Sequence, residues 1–222
     1  MRTVIKTPSL QRIRTTDNGK WIAQIAMIHQ TEIRGGFLPT LGSSFLRQLY
    51  EGIATSPETV LIAAVDDGDV IGFIAGAFST TAFYKDFTRR YWAKLALGLF
   101  GHFATHPTAI FRCVETLRYP ARVRSTSVEK AAILNFCVSS DLQGRGVGRL
   151  LFDAMMNELK TAGVNGVRIV TGADQRSAVA FYEHVGARKS AETEIHRHVK
   201  SIVFEYDAAC GGQMTDQLRS VS

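Results

Sequence analysis

Apolar residues recur at helical spacing in two segments near the start of the chain. Between residues 21 and 34 they lie three and four positions apart, which predicts a helix. Glycines and a proline within residues 35–40 end this pattern. Helical spacing resumes over residues 41–54, so we expect a second helix there.

Apolar and β-branched runs predict strands in the rest of the chain. Residues 60–65 and 70–78 flank a turn rich in Asp and Gly at 66–69, which predicts a β-hairpin. Beyond it, strands and helices are expected to alternate. The predicted strands are 131–138, 166–171, 187–194 and 200–206, and the predicted helices are 149–161 and 175–184. The pattern indicates a mixed α/β (α+β) domain.

Glycines are concentrated where the strand at 131–138 leads into the helix at 149–161. Gly144, Gly146 and Gly148 allow the backbone to adopt positive φ and to approach a ligand closely. The first turn of a helix has backbone N–H groups without intrahelical partners, and the helix dipole favours negative charge there. The segment therefore predicts either a site for an anion such as a pyrophosphate, with Arg145 as a neighbouring cation, or only a tight turn that caps the helix.

Two common phosphate-binding motifs are excluded. The chain has no G-x-x-x-x-G-K-[ST], and its three glycines follow G-x-G-x-G instead of G-x-G-x-x-G. Gln143, Gly146 and Gly148 instead fit the pattern Q/R-x-x-G-x-G/A. The segment thus resembles the signature of the GNAT family, the acetyl-coenzyme A dependent N-acetyltransferases.

A second segment carries the same resemblance. Residues 175–187 are similar to that family's N-x-x-A-x-x-L/F-Y-E-x-x-G-F segment, and a hairpin precedes the signature at a similar distance. The resemblance is weak over residues 12–78 and strong over 130–206. It implies a central, mostly antiparallel mixed sheet of about six to seven strands, with a splayed parallel pair and flanking helices.

The resemblance also implies the site residues. Acetyl-coenzyme A is the expected cofactor, and the backbone groups of Phe136, Cys137 and Val138 are expected to bind its pantetheine and acetyl carbonyl. Gln175 stands where relatives usually have Asn facing the cofactor. The pyrophosphate is expected on Gln143, Gly144, Arg145, Gly146, Val147, Gly148 and Arg149.

Tyr182 is the expected general acid. It occupies the place of the family's usual tyrosine in the second segment. A phenol with an ordinary pKa of about 10 stays protonated at neutral pH and can donate to a leaving sulfur. The alternative is a purely structural aromatic residue, because Val179 and Val185 share its helix face.

The general base is left open. Many relatives carry a Glu near Asn135, and an amide cannot accept a proton at neutral pH. His29, Glu32 or Glu129 could act through water, or no base is needed if the amine arrives deprotonated. His29 lies on a mainly apolar helix, which favours a core histidine. An acyl-cysteine on Cys137 is a further alternative, but a small buried hydrophobe is favoured.

The acceptor is expected to be a primary amine on a small molecule, with an amino sugar favoured. In the family the first two helices and their connection shape the acceptor pocket, here residues 33–49 with Phe37 in the connection. Residues 35–50 look similar to a subset of GNAT proteins associated with surface-polysaccharide pathways. The alternative function is a non-catalytic acyl-coenzyme A sensor or scaffold.

Composition favours one domain over residues 1–207, with a flexible tail at 208–222. The 222 residues are 45% hydrophobic and can bury a substantial core. Cys113, Cys137 and Cys210 give neither a disulfide framework nor metal-ligand spacing, so no metal is expected. The N-terminal residues lack an apolar signal region, and no run of 18 apolar residues occurs. We therefore expect a cytoplasmic protein.

Residues 79–128 depart from a minimal acetyltransferase and are expected to form a helical insertion. They hold eight basic residues against Asp86 and Glu115, whereas the whole chain has a formal charge of +6. The favoured interpretation is a wall of the acceptor pocket, with homo-oligomer formation through the same surface as a companion. A membrane-surface helix over residues 95–103 is less favoured. Nucleic acid is not an expected partner, because no recognised binding motif accompanies the charge.

Overall fold

The computed structural model describes residues 7–14, 19–33, 38–90, 131–196 and 199–208. Within these residues seven strands form one sheet. They are β1 (Ser9–Ile13), β2 (Thr59–Asp66), β3 (Asp69–Ala77), β4 (Ala131–Val138), β5 (Gly166–Gly172), β6 (Arg188–His196) and β7 (Val199–Asp207). The helices are α1 (Gly19–Glu32), α2 (Ser43–Thr55), α3 (residues 80–90), α4 (Val147–Thr161) and α5 (Arg176–His184).

The strand order is β1-β2-β3-β4-β5-β7-β6. Neighbouring strands are antiparallel except for β4 and β5, which are parallel. One apolar cluster joins α1, α2 and α3 to one face of the sheet, and a second joins α4 and α5 to the other face. The predicted mixed, mostly antiparallel sheet with flanking helices is confirmed.

The predicted helices, strands and hairpin all form, with bounds shifted by at most two residues. The hairpin turn has positive φ at Asp67 (47°) and Gly68 (84°), which suits the right-handed twist of the two strands. Strand β1 was not predicted from the pattern. It is an edge strand in which only Ile13 is buried, so it shows no alternation of apolar and polar residues.

An irregularity in β4 separates it from β5. Ala75 of β3 pairs with Asn135, but the next residue, Gly76, pairs with Ile133, so Leu134 is an extra residue in β4. Consistent with this bulge, Leu134 packs with the α1–α2 cluster while Phe136 packs on the α4–α5 side. A bulge bends its strand. Only Ala131 and Ala132 of β4 pair with β5, and the two strands diverge beyond them.

Part of the predicted insertion and the predicted tail lie outside the described residues, namely 91–128 and 209–222. The described start of the insertion is helix α3. Its residues Phe83 and Phe87 are buried in the cluster with α1 and α2. Over the described part of the chain, no helix is both long and apolar enough to cross a membrane.

Candidate active site

The divergence of β4 and β5 leaves one edge of β4 open. Ser139 donates its N–H to the Ile71 carbonyl at 3.0 Å, so these two residues form a hydrogen-bonded pair of the β3–β4 ladder. In an antiparallel ladder such pairs alternate with pairs whose backbone groups point away from the partner strand. The backbone groups of Phe136 and Val138 therefore face away from β3, toward the gap beside β5.

The same alternation directs Cys137 toward β3. Cys137 pairs with Phe73, and a Cβ built on Gly72 would lie only 3.0 Å from the Cys137 carbonyl oxygen. Of the three residues expected to present backbone groups to pantetheine, Phe136 and Val138 thus face the gap and Cys137 faces the ladder. Sequence alone did not distinguish them, because the bulge at Leu134 sets which residues face which side.

The glycine-rich connection adopts the backbone conformation that its residues suggested. Gly144 and Gly146 have φ of 74° and 85°, in the left-handed region that favours glycine. Gly146 is the N-cap of α4 and no side chain caps the helix. The N–H groups of Val147, Gly148 and Arg149 in the first turn consequently have no intrahelical acceptor. This helix start is suited to an anion.

Two contacts hold this helix start against the open edge of β4. The side-chain amide of Gln143 donates from Nε2 to the Val138 carbonyl at 3.0 Å. A Cβ on Gly148 would lie 3.6 Å from the ring of Phe136 and 3.7 Å from that of Phe181, so the helix packs closely on both rings. The glycine-rich turn and the open edge of β4 are therefore in direct contact.

The charged and amide side chains expected to contact the cofactor differ in whether they already have partners in the protein. Arg145 is exposed, whereas Arg149 pairs with Asp153 one turn along α4 at 2.8 Å. Gln175 lies at the N-cap of α5, and its Oε1 accepts a hydrogen bond from Thr171 of β5 at 2.9 Å. The Thr171 contact fixes the Gln175 side chain at the end of β5, beside the gap.

Tyr182 is buried on the α4–α5 side of the sheet. Its ring contacts Phe152, Phe181 and Phe204 at centroid distances of 6.5, 5.6 and 5.7 Å. Phe181 in turn meets Phe136 of the open edge at 5.5 Å. Burial raises the pKa of Tyr182 above its usual value, so the phenol stays protonated at neutral pH.

His29 is a core residue with a satisfied ring. Its exposure is 1%, and Nδ1 lies 2.6 Å from the Tyr50 hydroxyl. Burial lowers the pKa of His29 to about 4, so the imidazole is neutral at physiological pH. Its ring packs among the α1–α2 cluster and is already hydrogen-bonded to Tyr50, which supports the core alternative over a substrate-binding role.

Glu32 ends α1 beside the C-terminal end of β4. Its Oε1 accepts hydrogen bonds from the Ser140 backbone N–H at 3.3 Å and from the Ser140 hydroxyl at 3.2 Å. Burial and the negative charge of Glu32 raise the pKa of the Cys137 thiol to about 12. The Cys137 side chain packs in the α1–α2 cluster. Glu32 therefore lies on the sheet face opposite Tyr182, and Cys137 is a protonated thiol at neutral pH.

Two of the residues proposed from the sequence have no described position in the structure. Phe37 and Glu129 lie outside the described residues. The contact of Glu32 with Ser140 joins residues 108 positions apart in sequence, so no local pattern could have indicated it. Among the described residues, no group of three or more His, Cys, Asp or Glu side chains could hold a metal ion.

The sequence profile of the acetyltransferase (GNAT) family matches residues 27–187, which is more than half of the chain. The chain belongs to this family. The family uses acetyl-coenzyme A as acetyl donor. The matched region contains the open edge of β4, the glycine-rich connection, α4 and α5.

Individual relatives support the fold. The chain is 36% identical over 59 residues to the [ribosomal protein bS18]-alanine N-acetyltransferase of Salmonella typhimurium. That alignment spans 27% of this chain and 40% of the relative. Ard1 from Thermoplasma volcanium superposes with a TM-score of 0.57 at 16% identity, covering 91% of this chain and 98% of Ard1. Aminoglycoside 6'-acetyltransferase type Ii superposes with a TM-score of 0.58 at 13% identity, covering 90% of this chain and 97% of that enzyme.

Gly146→Val is expected to weaken acetyl-coenzyme A binding by about tenfold or more, because a β-branched side chain would fill the open space beside the α4 start. Isothermal titration calorimetry measures the affinity. The positive φ also makes the substitution destabilising, by roughly 1–2 kcal/mol.

Gly163→Val is the matched control for the strain. Gly163 has φ of 78°, open space around it, and a position just beyond the opposite end of α4. Both variants should lose similar stability, whereas the Gly163 variant should keep its affinity for acetyl-coenzyme A. Equal affinities of the two variants would contradict the assignment of this turn to the cofactor.

Proposed function

We propose that the protein transfers an acetyl group directly from acetyl-coenzyme A to the primary amine of a small molecule, within a ternary complex. The observation that carries this proposal is the unpaired edge of β4 beside an uncapped helix N-terminus. Phe136 and Val138 offer backbone groups along that edge, and Val147 to Arg149 offer N–H groups at its end. An extended amide chain ending in a pyrophosphate fits this succession of groups.

The residues around the edge are suited to each part of acetyl transfer. When bound, acetyl-coenzyme A supplies an acetyl group activated as a thioester. The N–H of Val138 or Phe136 donates a hydrogen bond to the acetyl carbonyl oxygen as negative charge develops on it. One such preorganised donor contributes on the order of 2.7–4 kcal/mol to catalysis. The carbonyl of Val138 is already occupied by Gln143, so its N–H remains for this role.

Proton transfer uses the two faces of the sheet. Glu32, on the α1 face, takes a proton from the attacking amine, directly or through water. The amine nitrogen forms the new bond to the acetyl carbon while the carbon–sulfur bond breaks. Tyr182, on the α5 face, gives its proton to the departing sulfur. The raised pKa of Cys137 argues against an acyl-cysteine intermediate, because the thiolate would be the nucleophile.

The acceptor class is part of the proposal. The bS18 relative is named for a ribosomal-protein alanine, and the aminoglycoside enzyme for an aminoglycoside. Acceptors thus differ within this fold, and the chain's own charge is the better guide. A formal charge of +6 favours an anionic acceptor over a cationic polyamine. We favour an amino sugar that carries an anionic group as the acceptor. The enzyme itself is proposed to work in the cell interior and to have no nucleic acid partner.

An acceptor screen tests the activity. Release of free coenzyme A would be followed with acetyl-coenzyme A and a panel of amino sugars, amino-sugar nucleotides, aminoglycosides and peptides with free N-termini. We expect an amino-sugar acceptor to raise the rate of release and to be recovered as its N-acetyl product. Slow hydrolysis unaffected by every amine would contradict the proposal and support an acyl-coenzyme A sensor.

Tyr182→Phe should lower kcat by about 10²–10⁴-fold while changing the affinity for acetyl-coenzyme A little, because it removes only the proton donor. Tyr206→Phe is the matched control, since Tyr206 packs on Phe152 in the same aromatic cluster at 5.1 Å. Steady-state kinetics on both variants decides the role. A turnover rate equal to that of wild type would reject Tyr182 as the acid.

Glu32→Gln should lower kcat by about 10²-fold or more at neutral pH, because an amide cannot accept the proton from the amine. Glu183→Gln, on the exposed side of α5, is the control for loss of a carboxylate. An unchanged kcat for the Glu32 variant would assign its carboxylate to anchoring Ser140 only.

A further inference from the structure

Arg168 of β5 is a buried cation without a complete set of partners. Its exposure is 4%, and its Nε is shielded from solvent without a hydrogen-bond partner. It is the single such side-chain atom among the described residues. A guanidinium cannot lose its proton in a protein, and an uncompensated buried charge is costly. The proposed transfer reaction does not use Arg168 in any step.

Arg168 faces the acceptor side of the sheet. Val167 and Ile169 belong to the α4–α5 cluster, so the intervening side chain points to the α1–α2 face. Glu205 of β7 stands opposite it in register, yet the Nε remains unpartnered. The charge acts instead on Tyr84 of α3: burial raises the pKa of Tyr84, and Arg168 opposes that rise. Arg168 thus lies close to α3, the described start of the insertion.

The position of Arg168 in the sheet gives its approximate distance from the open edge of β4, where acetyl transfer is proposed to occur. Arg168 is level with Ala132 of β4, the last β4 residue that pairs with β5. Phe136, on the open edge, lies four residues further along β4. At about 3.3 Å per residue, shortened by the bulge, the separation is on the order of 10 Å. An acceptor that reaches both positions must carry its anion well away from its amine.

We propose that Arg168 binds a phosphate or carboxylate group of the acceptor, on the same face as Glu32 and roughly 10 Å from the reacting amine. The planar fork of a guanidinium suits either anion and provides two parallel hydrogen bonds. This inference rests on the proposed function, because it assigns the acceptor to that face. It narrows the acceptor class to amines with a distant anionic group.

Anion titrations test the assignment without knowledge of the acceptor. Wild-type protein is first saturated with coenzyme A, which fills the α4 anion site, and is then titrated calorimetrically with inorganic pyrophosphate and, separately, with citrate. Arg168→Gln should bind the preferred anion about tenfold or more weakly, a loss of about 1.4 kcal/mol. The preferred anion distinguishes a phosphate acceptor from a carboxylate acceptor. Arg168→Lys should retain an intermediate affinity.

Arg188→Gln is the matched control. Arg188 pairs in register with the same Glu205 on the same face of the sheet, but it is exposed. Its variant should bind the anion as wild type does. Equal anion affinities of wild type and Arg168→Gln, or no anion binding by wild type, would overturn the assignment. Failure of coenzyme A to bind in the first titration would instead refute the proposed function, and titration of the free protein would still decide the role of Arg168.

Thermal unfolding separates ligand binding from a structural role. Arg168→Met replaces a buried cation, whose Nε has no hydrogen-bond partner, with an apolar side chain, so its Tm should rise above that of wild type. A fall in Tm together with unchanged anion binding would show that Arg168 serves the fold. The Tm of Arg168→Gln verifies in the same series that the binding loss is measured on folded protein.

Discussion

The extra residue in β4 is the constraint on which the site depends. Leu134 shifts the register against β3 and reverses the faces of the residues that follow it. The bent strand does not pair with β5 beyond Ala132. The backbone groups of Phe136 and Val138 therefore have no partner strand on that side. Unpaired backbone groups inside a sheet are costly, so this edge is suited to a ligand that completes the pairing.

The sheet then separates the chemistry onto two faces. Helix α5 brings Tyr182 to one side through contacts among aromatic rings, and helix α1 brings Glu32 to the other through Ser140. The glycine-rich start of α4 adjoins the same edge through Gln143. The proposed acid, base and anion site thus converge on β4 from three helices, and the α1–α2 face also carries the unpartnered Nε of Arg168.

Sequence predicted the features that local chemistry determines. The spacing of apolar residues gave the helices and strands, and the positive φ of Gly144 and Gly146 fits the anion-binding turn expected there. Strand β1 was missed because one buried residue, Ile13, leaves no periodicity to read. The bulge at Leu134, the Glu32–Ser140 contact and the missing partner of Arg168 depend on residues distant in sequence, so no local pattern encodes them.

Residue-resolved amide hydrogen exchange, with and without acetyl-coenzyme A, tests the central claim most directly. If the open edge of β4 binds the donor, acetyl-coenzyme A should slow exchange at Phe136 or Val138 and at Gly148 in the first turn of α4. The amide of Cys137, already directed into the β3 ladder, should change little. Protection that appears at Cys137 alone, or nowhere along β4, would contradict the account.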